Sequence, residues 1–276
     1  MCISMLMVLS MVSISVLIFV SKATAEPMEY TSIVFIAKLC SWRQSQNKTI
    51  FEQFYTKQFA QSMTRCSKGN VVISGSQTKN MIVEVDIPCS FKSINNENVV
   101  IDNTNTYDYI HEWMNYAIRK VNGSLKGSID NYKYKLMIMP VSNGVLSWHA
   151  LGEIGGVFSW YNTHDLDISL YLHEIGHNFG FGHSMRNGEE YGDDSCVMGM
   201  GTNCYASPHR HFMMWDQPIM TFNWLANNSD ASVSYWNEWN TTILLRKSGE
   251  YVVMNDKLYI ESTTYGVNAY VLQSNM

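Results

Sequence analysis

Eleven residues, His173 to His183, read HEIGHNFGFGH and hold three of the chain's eight histidines. On a helix, residues four apart share a face, so His173 and His177 aim their imidazoles at one point. Neutral imidazole is a common zinc ligand, with Zn–N bonds of about 2.0–2.1 Å. Glu174 projects beside the same point, where a carboxylate can take a proton from an activated water. His183 lies six residues past His177, where a straight helix would turn it away. Gly180 resolves this, because glycine permits the positive φ that ends a helix and folds the chain back. Gly182 adds freedom in the same turn. Three histidine ligands with a fourth position open is the pattern of catalytic rather than structural zinc. From the chain's own composition, these fixed positions would coincide by chance with an expected count on the order of 10⁻⁵. A purely structural site would not require Glu174.

The elements that must position these residues follow from periodicity. TSIVFIAKL, from Thr31, reads as a first strand. NKTIFEQFYTKQFAQSMTRCSKG sets Ile50, Phe51, Phe54, Phe59 and Met63 near one helical face, with Gly69 as a stop. NVVISG and MIVEVDI are short β-branched runs, and NENVVIDNTNT reads as a polar loop. YDYIHEWMNYAIRKVNG returns to helical spacing and YKYKLMIMP to a strand. SWHALGEIGGVFSWY has strand-like ends around a glycine-rich middle. DLDISLYLHEIGHNFG is then the helix of the metal motif, with Asp165 and Asp167 complementing its N-terminal dipole. The tail from Ser232 alternates like short antiparallel strands. This order predicts a mixed α/β (α+β) domain with a twisted mixed sheet, an active-site helix and a β-rich C-terminal extension. The expected division is a leader at 1–25, a catalytic domain at 26–225, and a β-rich segment of unassigned role at 226–276.

Composition limits the rest. The chain has 276 residues, is 46% hydrophobic and carries a formal net charge of −5, so it can bury a core and shows no basic surface expected of a nucleic-acid partner. The first twenty residues carry no charge, and Lys22 and Ala23-Thr24-Ala25 follow in the form of a signal-peptidase site. The expectation is export and no membrane attachment after cleavage, with a retained anchor as the competitor. Sequons at Asn47, Asn122, Asn227 and Asn240 agree with export. Losing Cys2 with the leader leaves Cys40, Cys66, Cys89, Cys196 and Cys204, hence two disulfides and one thiol. Proximity in sequence favours Cys196–Cys204, and a hairpin would bring Cys66 to Cys89, with Cys40 left over. His209 and His211 in SPHRHF read as an exposed loop pair rather than part of a cleft. Asp193 and Asp194 in YGDDS could take calcium but lack the alternation of an EF-hand loop, so calcium is unsupported and a solvated turn is expected. Tyr191 and Tyr205 are both candidates to steady a tetrahedral intermediate, and spacing selects neither.

HEIGHNFGFGH matches the signature of the metzincins, HExxHxxGxxH. More narrowly, HEIGHNFGFGHS, EYGDDSCVMG and NCYASPH resemble the gametolysin family of secreted metzincins, as do CSKGN and VDIPCS upstream. The resemblance spans roughly residues 31–220. It implies that His173, His177 and His183 bind zinc and that Glu174 is the general base. It also implies that Met198 in SCVMGMG lies as an apolar floor beneath the metal, with Met200 as second choice. No stretch between Ala25 and the first strand reads as an inhibitory propeptide. The combined expectation is a secreted zinc endopeptidase, a monomer acting on extended polypeptide of extracellular-matrix or cell-wall proteins. HALGEIGG, His149 to Gly156, is the expected edge strand for substrate, its glycines letting a second backbone approach. The rival readings are an inactive zinc-binding matrix protein on a protease fold and a membrane-anchored protease.

Overall fold

The computed structural model describes residues 26–40, 46–101, 109–125, 127–140, 148–162, 165–186, 188–202 and 204–215, and beyond them the backbone of strands within 218–272. The leader expected at 1–25 therefore lies outside the described residues. In chain order the first elements are β1 (Met28–Glu29), β2 (Ser32–Leu39) and a helical rod. The rod comprises α1 (Lys48–Gln53), a π-helical turn (Phe54–Phe59) and α2 (Ala60–Cys66). Asn47 caps it, its side-chain oxygen accepting the N–H groups of Thr49 and Ile50. Next come β3 (Val71–Val72), β4 (Asn80–Ile87), β5 (Ser90–Lys92), β6 (Asn98–Val100) and α3 (Ile110–Asn122). β7 (Tyr134–Ile138), β8 (Ala150–Gly152), β9 (Phe158–Tyr161), α4 (Ile168–Asn178) and α5 (Ser207–Phe212) complete the side that carries the metal motif.

The central sheet has the order β4-β2-β7-β9-β8, parallel throughout except for β8, which runs antiparallel to β9 at one edge. Central β2 is buried along its length except at Lys38, as a strand covered on both faces must be. Its alternating side chains split the core. Val34 and Ile36 join Phe51, Phe59, Leu172 and Ile175 on the face packed by the first helical rod and α4. Ile33, Phe35 and Ala37 join Trp113, Met114 and Ala117 on the face packed by α3. The result is a three-layer mixed α/β arrangement with α3 and α4 on opposite faces.

Two expectations change. NENVVIDNTNT is not wholly a loop: β6 pairs antiparallel with β5 in a short hairpin, in which Val99, opposite Phe91, is buried to 2% exposure. The disulfides are Cys40–Cys89 and Cys66–Cys204, with Cys196 the buried thiol. The parallel register of β2 and β4 pairs Leu39 with Ile87 and draws the Cys40 N–H onto the Ile87 carbonyl, which sets Cys40 beside Cys89 at a Cα separation of 4.3 Å. The tail forms antiparallel pairs: β10 (Pro218–Leu225) with β14 (Gly266–Leu272), β11 (Ala231–Ser234) with β12 (Thr242–Leu245), and β13 (Leu258–Thr263) with β14. Among the described residues no helix is long and apolar enough to cross a membrane.

Candidate active site

Helix α4 carries the first half of the motif. Asp167 caps it, its carboxylate oxygen accepting the Ser169 N–H at 2.8 Å. Gly180 ends it at φ +95°. The Phe181 N–H reaches back to the Gly176 carbonyl at 3.0 Å and the Gly180 N–H to the His177 carbonyl at 2.8 Å. That is the Schellman turn, whose left-handed residue favours glycine. It reverses the chain and returns His183 to the face that holds His173 and His177. Ring centroids are 4.8 Å apart for His173–His177 and His177–His183, and 5.3 Å for His173–His183. One nitrogen from each ring lies within 4.8 Å of the others.

Each ring is held through its Nδ1. His173 Nδ1 lies 2.7 Å from the Val197 carbonyl, His177 Nδ1 2.8 Å from the Phe181 carbonyl, and His183 Nδ1 2.7 Å from Glu190 Oε1. Since these partners accept, Nδ1 carries the proton and Nε2 presents its lone pair. Burial, the larger effect, pushes the His173 imidazole down to about 4 against a smaller upward pull from its bond to Val197. Burial likewise lowers His177. Neutral rings with three lone pairs converging on one point fit a small borderline-soft cation such as zinc.

Beside them, Glu174 is 5% exposed and burial lifts its carboxyl to about 8. An adjacent cation favours the charged form and works against that shift. Beneath α4 lies Met198, fully buried, its sulfur where a side chain on Gly176 would have to go. Met200, the second choice, is 77% exposed and is not in that floor.

The segment HALGEIGG contains the edge strand β8, and the glycine of that strand, Gly152, faces the protein itself. A Cβ on Gly152 would stand 2.5 Å from the Glu174 carbonyl oxygen and 3.1 Å from its Oε2. The turn that follows is tied to the helix. The Gly155 N–H donates to the His177 carbonyl at 2.7 Å, and Asn178 Nδ2 to the carbonyls of Glu153 and Phe158 at 3.1 and 3.0 Å.

The tertiary structure also separates the tyrosines. Tyr205 is fully buried and donates its hydroxyl to the Leu172 carbonyl at 2.7 Å. Tyr191 is 42% exposed, with its ring centroid 4.0 Å from that of His183 and 6.1 Å from that of His173. Of the two, only Tyr191 borders the three histidines with an accessible ring. His209 is not an exposed loop residue. It sits half-buried on α5, with Nδ1 3.4 Å from the Cys196 sulfur. That sulfur also accepts the N–H groups of Met198 and Ala206 at 3.4 and 3.2 Å, so Cys196 ties the methionine turn to α5. Asp193 and Asp194 are occupied within their turn: Asp193 Oδ1 accepts from the Ser195 N–H and hydroxyl, and Asp194 pairs with Arg186 at 2.8 Å. Sequence reasoning missed Glu190 and Cys196. Nothing in their local pattern separates them from neighbouring acids and cysteines.

A sequence model of the gametolysin peptidase M11 family matches residues 30–273, most of the chain, with the strands β10 to β14 inside the match. The chain belongs to this family. It is a metallopeptidase, as the family is. No curated protein matches it.

Proposed function

We propose that this gametolysin-family chain is a secreted zinc endopeptidase that cleaves extracellular-matrix or cell-wall proteins, with His173, His177 and His183 holding one zinc ion and Glu174 as general base. The observation that carries the reading is the engagement of all three Nδ1 atoms, which directs three Nε2 lone pairs to one place beside a buried carboxylate. Zinc, when bound, supplies Lewis acidity, acidifying water and polarising a carbonyl.

The remaining work falls to the chain's own side chains. Glu174 accepts the proton of the attacking water and returns it to the leaving amine nitrogen. The β8 strand leaves its outer side unpaired among the described residues and lies directly against Glu174. An extended substrate adding to that edge by main-chain hydrogen bonds would run past the carboxylate with its scissile carbonyl in reach. Tyr191, accessible over the His183 ring, is placed to donate its phenol proton to a developing oxyanion. Burial favours the neutral, ligating form of His173 and His177.

Purified full-length chain incubated with casein and gelatin tests this directly. The expected result is internal cleavage that a chelator abolishes and added zinc restores. Tight zinc binding without any cleavage would replace this reading with that of an inactive zinc-binding matrix protein. N-terminal sequencing of material from culture medium would show whether the leader is removed after Ala25.

A further inference from the structure

On the face of the sheet opposite α4, the C-terminal half of α3 and the β5–β6 hairpin border an open cleft of about 610 Å³, lined by Lys92, Ser93, Ile94, Tyr116, Arg119 and Lys120. Its volume falls among those of small-ligand sites, about 300–1,000 Å³. Three of the six residues are cations, in a chain whose formal net charge is −5. None of the three pairs with a carboxylate among the described residues. Lys92 Nζ donates to the Asn96 carbonyl at 3.2 Å, Arg119 to the Lys92 carbonyl at 2.9 Å, and Lys120 Nζ to the Asp86 carbonyl at 2.7 Å. These bonds fix the charged heads without neutralising them. Of the acidic residues in this region, Asp86 faces Lys38 at 3.9 Å, and Glu112, at the rim of the cleft, accepts the Ile94 N–H at 3.4 Å, so the cations outnumber it there.

Ser93 adds a hydroxyl donor to the same wall. It is 8% exposed, and its oxygen accepts the N–H groups of Asn95 and Glu97 at 3.1 and 3.0 Å. Accepting those two bonds leaves the hydroxyl proton free to turn toward the cleft. An anion in the cleft would satisfy it. The remaining wall is apolar. Tyr116 is half-buried against Phe91, with Lys120 Nζ 5.9 Å from its ring centroid, and Ile94 is 67% exposed.

We infer that this cleft binds an acidic glycan, whose sulfate or carboxylate groups take Lys92, Arg119, Lys120 and the Ser93 hydroxyl while a sugar ring lies against Tyr116 and Ile94. An acidic peptide fits less well. It would bring N–H donors of its own, and the carbonyls of Lys92, Asn96 and Asp86 already accept the three cations. Because α3 and α4 cover opposite faces, glycan bound here leaves the histidine cluster open. If the peptidase reading holds, the consequence is an enzyme tethered to a matrix on one face while it cleaves on the other. The binding itself does not depend on that reading.

The test uses the full chain with four probes: dextran sulfate, polygalacturonate, neutral dextran and poly-glutamate, at low and high salt. The expected result is salt-weakened binding to dextran sulfate, to polygalacturonate or to both, which also identifies the anionic group, and no binding to neutral dextran. Charge attraction at an exposed cleft is screened over about 8 Å at physiological ionic strength. The triple variant Lys92→Gln, Arg119→Gln, Lys120→Gln should bind at least about tenfold more weakly. Its melting temperature and its hydrolysis of a short uncharged peptide should match the parent. Ser93→Ala alone should weaken binding by about threefold. A triple variant that binds as tightly as the parent would overturn the assignment, and so would poly-glutamate binding as tightly as the two polysaccharides.

Discussion

Gly152→Ala adds one methyl group, and its effect can be worked out from the contacts around β8. The new Cβ would stand 2.5 Å from the Glu174 carbonyl oxygen, 3.1 Å from its carbonyl carbon and 3.1 Å from Oε2. A comfortable carbon–oxygen approach is about 3.3–3.6 Å, so strand and helix must separate by roughly 1 Å. They cannot do so freely. The Gly155 and Asn178 hydrogen bonds pin the β8–β9 turn to α4 just beyond. Overpacking of this kind costs about 1–3 kcal/mol of stability. The larger effect falls on chemistry, because a shift of about 1 Å in a catalytic group can cost 10²-fold. The expected result is a kcat about 10–100-fold below the parent, with zinc content near one ion per chain and only a modest fall in melting temperature. Steady-state kinetics on a fluorogenic peptide, metal analysis and a thermal melt on the same preparation would measure all three. A Gly152→Ala enzyme with unchanged kcat would show that the strand yields without moving Glu174, and the reasoning would fail.

Glu174→Gln should keep zinc and lose about 10²–10⁴-fold in turnover, since the amide cannot accept a proton; metal analysis beside a rate assay checks it, and substantial residual activity would remove Glu174 as base. Gly180→Val should strain the left-handed residue by about 1–2 kcal/mol, and since Phe212 at 3.7 Å is ordinary contact, the cost is in the backbone. Zinc affinity should therefore fall well before the metal-free melting temperature does, and equal affinity for variant and parent would show that Gly180 is no hinge. Glu190→Gln removes the charged partner of His183 and should weaken zinc about 10–100-fold in a competition titration; an unchanged dissociation constant would count against Glu190 as an orienting residue. Breaking Cys66–Cys204 by Cys66→Ser with Cys204→Ser frees a loop of 138 residues' separation, worth about 5 kcal/mol by loop entropy; an unaltered denaturation midpoint would mean that the unfolded chain is not what this bridge restrains.

The metal motif was legible because everything it needs is local. Residues four apart on a helix share a face, and one glycine at positive φ returns the third histidine, so spacing and residue type were sufficient to assemble His173, Glu174, His177 and His183. The strand and helix order followed for the same reason, since hydrophobic period is a property of consecutive residues. Met198 beneath the helix came instead from family resemblance, and the packing of Gly176 on its sulfur gives the physical basis.

What the sequence left undetermined depends on distant segments meeting. The expected bridges joined cysteines near each other along the chain, whereas the parallel register of β2 and β4 brought Cys40 to Cys89, and the packing of the fold placed Cys66 beside Cys204 across 138 residues. Neither distance nor burial of a cysteine is encoded in its neighbours. The same holds for the tyrosines, identical in side chain, of which the fold buries Tyr205 under Leu172 and leaves Tyr191 over His183. Glu190 became a partner of His183 only because the turn after the helix folds back upon the ring. The glycines of HALGEIGG were read as room for a substrate backbone, but the one glycine of the edge strand, Gly152, is approached by the backbone of Glu174. Packing decided that: a side chain's neighbours in space are set by how whole layers stack, and no window of sequence contains them.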